Sequence, residues 1–137
     1  MKSKAPLMLM EQLVMVLVFA LAAAVCLQVF ALSGRISRAC EARDRAAVVA
    51  QSAAETLKAC GGDYAQAAQR LGGRWDGRVW TVDYDENWKQ TETDEAYRVC
   101  VSPAESAQAL LGMADITVLD GEGGEIFSLR TAWQEVE

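Results

Sequence analysis

Leu7-Met8-Leu9-Met10-Glu11-Gln12-Leu13-Val14-Met15-Val16-Leu17-Val18-Phe19 opens a long apolar run that carries one acid. An ionised carboxylate in hydrocarbon costs at least about 2.5 kcal/mol. The stretch from Leu13 to Leu32 is broken only by Gln28 and is already long enough to cross a bilayer. Spanning therefore does not require Leu7 to Gln12, and something has to be placed beside Glu11. Three readings compete. Lys2, Lys4 and the small residues Ala22-Ala23-Ala24 fit a cleaved export signal, although the run exceeds the usual h-region of about 7–15 residues. A permanent signal anchor is the second. The third is an anchor that later leaves the bilayer to form the core of a helical filament.

Working outward, two lysines precede the span, and Arg35, Arg38, Arg43 and Arg45 follow it with Glu41 and Asp44. Counted by the positive-inside rule, these arginines lean toward a cytoplasmic C-terminus. The basic n-region and apolar run of an export signal override that count, because the first helix usually dominates. The expected placement is a single-pass protein with its N-terminus cytoplasmic and its C-terminal domain outside.

No proline interrupts positions 7–60, and Gly34 is the only glycine there. Residues 35–59 are rich in strong helix formers. Ile36, Cys40, Ala47, Ala50, Ala54 and Leu57 recur at helical spacings as a thin apolar stripe. A helix over 7–59 would be about 80 Å long at roughly 1.5 Å per residue. The plainer alternative is two helices hinged at Ser33-Gly34. Cys60-Gly61-Gly62 ends the pattern.

Asp63 to Gln66 has capping-box spacing and predicts a short helix through Leu71. The period then switches to two. Trp80, Val82 and Tyr84 alternate with Val79, Thr81 and Asp83, and Tyr97, Val99 and Val101 alternate with Arg98, Cys100 and Ser102. A polar, acidic loop over 85–95 joins these two strands. Ser102-Pro103-Ala104-Glu105 combines a capping box with a proline at the first helical position and predicts a helix ending near Gly112. Ile116 to Leu119 and Ile126 to Leu129 read as strands joined by the glycine-rich turn Asp120-Gly121-Glu122-Gly123-Gly124. The expected fold class is α+β: one long N-terminal helix, half membrane and half amphipathic, packed on a small antiparallel sheet of three to four strands.

Composition narrows function. The chain has 137 residues and a net charge of −6. Residues 79–137 hold three basic and thirteen acidic side chains, a net of −10, which argues against nucleic acid as a partner. There is no histidine, so the commonest general base and metal ligand are missing. No serine, threonine or cysteine has a histidine to activate it, and neither a phosphate-binding loop nor a dinucleotide fingerprint is present. The expectation is no enzyme, no catalytic residue, no metal and no cofactor. Asp83, Asp85 and Asn87, with Asp94, partly match a calcium loop, but Trp88 stands where glycine is required. Four tryptophans in a small sheet domain fit core filling better than a stacking platform. Cys40 and Cys60 on one helix are too far apart to pair. Cys60 and Cys100 leave two readings: a disulfide, which an exported domain permits, or small buried thiols.

This layout resembles the type IV pilins and the related pseudopilins of type II secretion and DNA-uptake systems. The resemblance is architectural over the whole chain and at motif level covers about residues 2–32. It rests on the basic leader, the apolar helix with Glu11, and the C-terminal hairpin with Asp120 and Gly121 before Ile126 to Leu129. In that family a peptidase cuts just before the apolar helix, whose fifth mature residue is glutamate. Aligned on Glu11, the cut falls between Pro6 and Leu7. The family carries glycine before the cut, occasionally alanine, and Pro6 is a departure from it. The resemblance implies a leader over 1–6, a transmembrane half-helix over 7–33, an amphipathic half-helix over 34–60 and a globular α+β region over 61–137. It implies a structural subunit, a minor one, of a pilus-like filament or pseudopilus. Its partners would be other pilin-like subunits through the N-terminal helix, the inner-membrane assembly machinery, a prepilin peptidase and membrane lipid. Glu11 would then receive the new ammonium of a neighbouring subunit's Leu7, a pair that offsets the cost each charge bears alone. The alternative is a single-pass anchored protein whose small outer domain binds a ligand or partner.

Overall fold

The computed structural model describes residues 4–135. Helix α1 (Ala5–Ala59) is followed by α2 (Tyr64–Leu71) and by strands β1 (Arg74–Trp75), β2 (Trp80–Tyr84), β3 (Tyr97–Ala104), β4 (Leu111–Asp120) and β5 (Glu125–Gln134). The chain divides into two compact units, Met1–Cys40 and Glu41–Glu137.

The first unit contains the apolar part of α1. Among its described residues, leucine, valine and phenylalanine side chains from Leu7 to Leu32 are exposed. Among the described residues one helix, α1, is long and apolar enough to cross a membrane, and none of its most apolar window is buried within the protein.

The second unit is an α+β domain with five strands, where three to four were expected. The strands run antiparallel in the order β1-β2-β3-β4-β5, a plain meander in which each strand pairs with its neighbour in sequence. Register places Trp80, Val101, Ile116 and Leu129 in one row, and Val82, Val99, Val118 and Phe127 in the next. The residues of these rows on β2, β3 and β4 are almost wholly buried. Ala46, Ala50, Ala53, Ala54 and Leu57 of α1 share that core. Small side chains let the helix backbone approach the sheet, and Leu57 supplies its one large core group. The indole Nε1 of Trp80 donates to the Gly72 carbonyl at 2.9 Å.

Local signals explain the helix ends. The amide of Gly62 donates to the Leu57 carbonyl and that of Gly61 to the Lys58 carbonyl, both at 3.0 Å. Gly61 takes a φ of +63°, as the left-handed end of a Schellman cap requires. Asp63 caps α2 by accepting from the Gln66 amide at 3.0 Å.

The helix expected over 103–112 is absent. Ser102, Pro103 and Ala104 instead continue β3 and pair with Asp115, Ala114 and Met113. Strand β2 stops at Trp80 opposite Val101, so Pro103 lies beyond it on a locally free edge, where a sheet tolerates proline. Pairing with the long β4 outweighs a local capping pattern that would bury little. Strands β4 and β5 each run ten residues, well beyond the four-residue cores read from sequence.

Candidate functional site

The first candidate is the exposed end of α1. Pro6 and Leu7 fall within its first turn, and the Met8 amide makes its opening bond to the Lys4 carbonyl at 3.2 Å. Proline is tolerated there because the first helical amides have no intrahelical acceptor. Met1 to Ser3 of the expected leader lie outside the described residues. Leu7 is 74% exposed. Glu11 is also exposed and has no ion-pair partner among the described residues. The first turn of α1 contains no acid. Glu11 sits one turn further in, beyond the first turn within which the helix dipole would favour an acid. Leu7, Met8, Met10, Val14 and Met15 form an open apolar trough beside Glu11 and Lys4. A carboxylate bordered by such groups and without an ion pair among the described residues suits a cationic partner.

The cysteines are free thiols. Cys60 packs against the core on the helix side of the sheet. Val99 and Val101 point into the core, and strand alternation sends Cys100, between them, to the opposite face. The two thiols therefore lie on opposite faces of the sheet and are not joined in this structure. Burial pushes the Cys100 thiol above its ordinary pKa.

The acidic half of the chain spends much of its charge on structure. Asp85 Oδ1 accepts from the Asn87 and Lys89 amides at 2.8 and 2.9 Å. Asp120 Oδ1 accepts from the Glu122 and Gly124 amides at 3.0 and 2.8 Å. Asp76 Oδ1 accepts from the Arg78 and Val79 amides, both at 2.8 Å, and these bonds lower its pKa. In the part-matching calcium loop, Asp83 accepts from Arg98 Nε at 2.7 Å and meets Arg74 at 3.5 Å, while Glu95 also engages Arg98. Trp88 has a φ of +60° and stacks on Tyr97 with centroids 3.9 Å apart. Among the described residues no group of three histidine, cysteine, aspartate or glutamate side chains could hold a metal.

A cleft of about 620 Å³ lies between Gly72, Gly73 and Arg74 on one side and Gln90, Thr91 and Glu92 on the other. Its one well-shielded carboxylate, Asp83, is already neutralised by arginine, and the Gln90 amide is taken by the Leu71 carbonyl at 2.6 Å. The tryptophans are structural: Trp80 is fully buried, Trp75 stacks on Tyr64 at 4.6 Å, and Trp133 covers Gly62 and Gly112. Sequence reading missed the cross-strand pairs Asp83–Arg98 and Asp115–Arg130. Strand register, which brings residues fifteen apart face to face, is the signal that finds them.

Comparison with protein-family models, curated proteins and solved structures found no match to the chain.

Proposed function

We propose that this chain is a structural subunit, a minor one, of a filament built like a type IV pilus or pseudopilus. The carrying observation is the division of labour within α1. Ala46, Ala50, Ala53, Ala54 and Leu57 are core of the sheet domain, whereas the apolar stretch from Leu7 to Leu32 is uncovered and carries one carboxylate, Glu11, with no ion pair among the described residues. In this reading the uncovered half resides in the membrane with the C-terminal domain outside, and then transfers to a bundle of similar helices. Glu11 penalises the lipid-bound state and is relieved when a neighbouring subunit's Leu7 ammonium pairs with it. Membrane lipid, other pilin-like subunits, a prepilin peptidase and the assembly machinery are the partners so implied.

The test has two measurements on protein extracted from its native host. Intact mass reads the leader: loss of residues 1–6, with or without a methyl on Leu7, supports the proposal. A retained leader means that Pro6 blocks the peptidase, and favours a permanent anchor with a partner-binding outer domain. Glu11→Leu reads assembly: the variant should remain in the membrane fraction and disappear from sheared or co-purified filaments. Undiminished co-assembly by this variant would remove the proposed role of Glu11.

A further inference from the structure

Gln28 is the one polar side chain between Leu13 and Leu32 apart from the single thiol of Cys26. It is exposed on α1, and its amide makes no hydrogen bond with any described residue. A primary amide has two donors and an acceptor, and in hydrocarbon no water satisfies them. At 3.6 residues per turn, Ala20, Ala24, Gln28 and Ala31 fall within about 80° of one another. Cys26 lies about 160° from the middle of that face and Glu11 about 140° from it.

We propose that this face of α1 is a homotypic docking face, on which a second copy of the chain pairs its own Gln28 with this one inside the bilayer. The amide selects the occupant. Its partner must offer both a donor and an acceptor at the same depth in the membrane. A second copy inserted in the same sense meets both conditions, because an amide is self-complementary and Gln28 then faces Gln28 at equal height. The neighbouring alanines do not attract a partner themselves. They let two backbones come close enough for the short amide bonds to form, as small residues do at other membrane helix pairs. The inference needs the membrane span but not the filament: Glu11 occupies another side of the helix and is free for a different neighbour.

The full-length protein in liposomes of phosphatidylethanolamine and phosphatidylglycerol, with no assembly machinery present, provides the test. Cysteine is restricted to one position at a time, either native Cys26 or Ala24→Cys, with the other native cysteines replaced by serine, and the samples are oxidised. Disulfide-linked dimers should form through Ala24→Cys and hardly at all through Cys26. Adding Gln28→Leu should lower the dimer yield about threefold or more, while Gln28→Asn keeps most of it. Because leucine makes the span more apolar, a loss of dimer cannot come from failed insertion. Equal yields from the two positions, or an unchanged yield with Gln28→Leu, would overturn the proposal and leave the face to lipid. Glu11→Leu should leave the dimer intact, so failure of the filament reading and failure of this one are separately visible.

Discussion

Asp115 and Arg130 show how much of this chain's charge is architectural. Arg130 donates from Nε and Nη2 to the two carboxylate oxygens at 2.6 and 3.0 Å across β4 and β5. This bidentate contact holds the Asp115 carboxyl below its ordinary pKa. A depressed folded pKa gives stabilisation that is present above the unfolded carboxylate range, about 3.9, and lost as pH falls through the lower folded value. Asp115→Asn should therefore flatten the acid limb of a urea-midpoint profile and leave its neutral region nearly unchanged, since the pair is exposed and screened. An unaltered acid limb would show that the pair is not maintained in solution. Cys100 has the opposite sign. Burial raises its thiol pKa, so the proton is retained at neutral pH and the nucleophilic thiolate is scarce. Timed alkylation followed by peptide mass spectrometry should find exposed Cys40 modified well before Cys100, and no mass deficit from a Cys60–Cys100 bond. Gly112 has a different constraint. A β-carbon there would come within 2.4 Å of the Trp133 ring, so Gly112→Ala should cost about 1–3 kcal/mol in a denaturant melt, with a shift in tryptophan emission. A neutral substitution would mean that the indole has room to move.

The second half of α1 carries the same logic at the scale of an element. Its core face is four alanines and Leu57, so it adheres by close approach rather than by bulk. Leu57→Ala should cost about 2–5 kcal/mol, and Ala50→Leu about 1–3 kcal/mol by wedging the helix off the sheet. Melting curves of the two variants separate these routes, because Val48→Ala, at a position 60% exposed, should leave the midpoint nearly unchanged. The elements legible in the sequence are those whose signals are local. Asp63 and Gln66 announced α2, Gly61-Gly62 the end of α1, and Asp120 to Gly124 the last hairpin, because each turn is built by its own residues. The misread element was the one whose fate is decided at a distance. Ser102 to Glu105 has a valid capping pattern, yet Ser102 to Ala104 belong to β3 because Met113 to Asp115 lie alongside them. Strand β1, two residues long, has no periodicity to read. Glu11 stood out in the sequence because an acid among leucines and methionines conflicts with its surroundings, whereas the cross-strand pairs needed a register that only the folded sheet supplies.

At the scale of the whole molecule, the two units differ in what they need. Every buried core residue lies between Ala46 and Val118, and the unit that holds them begins at Glu41. The exposed large apolar side chains, Val48 and Leu110 apart, lie before it. Residues 41–137 should accordingly fold without the apolar segment, as a soluble domain with a cooperative melt and blue-shifted emission from buried Trp80. Removing twenty more residues, so that the chain begins at Gly61, should abolish that behaviour. The loss would bare the helix-facing rows of Trp80, Val82, Val99, Val101, Ile116 and Val118, all nearly inaccessible in the intact domain, and a meander with one apolar face cannot remain open to water. Circular dichroism, tryptophan fluorescence and sedimentation of the two fragments check this directly. If the fragment from Gly61 melts cooperatively as a monomer, the sheet is self-sufficient and α1 is only an attached stalk. If only the fragment from Glu41 does so, the helix is structural in its second half, and its first half is left free for membrane and partners.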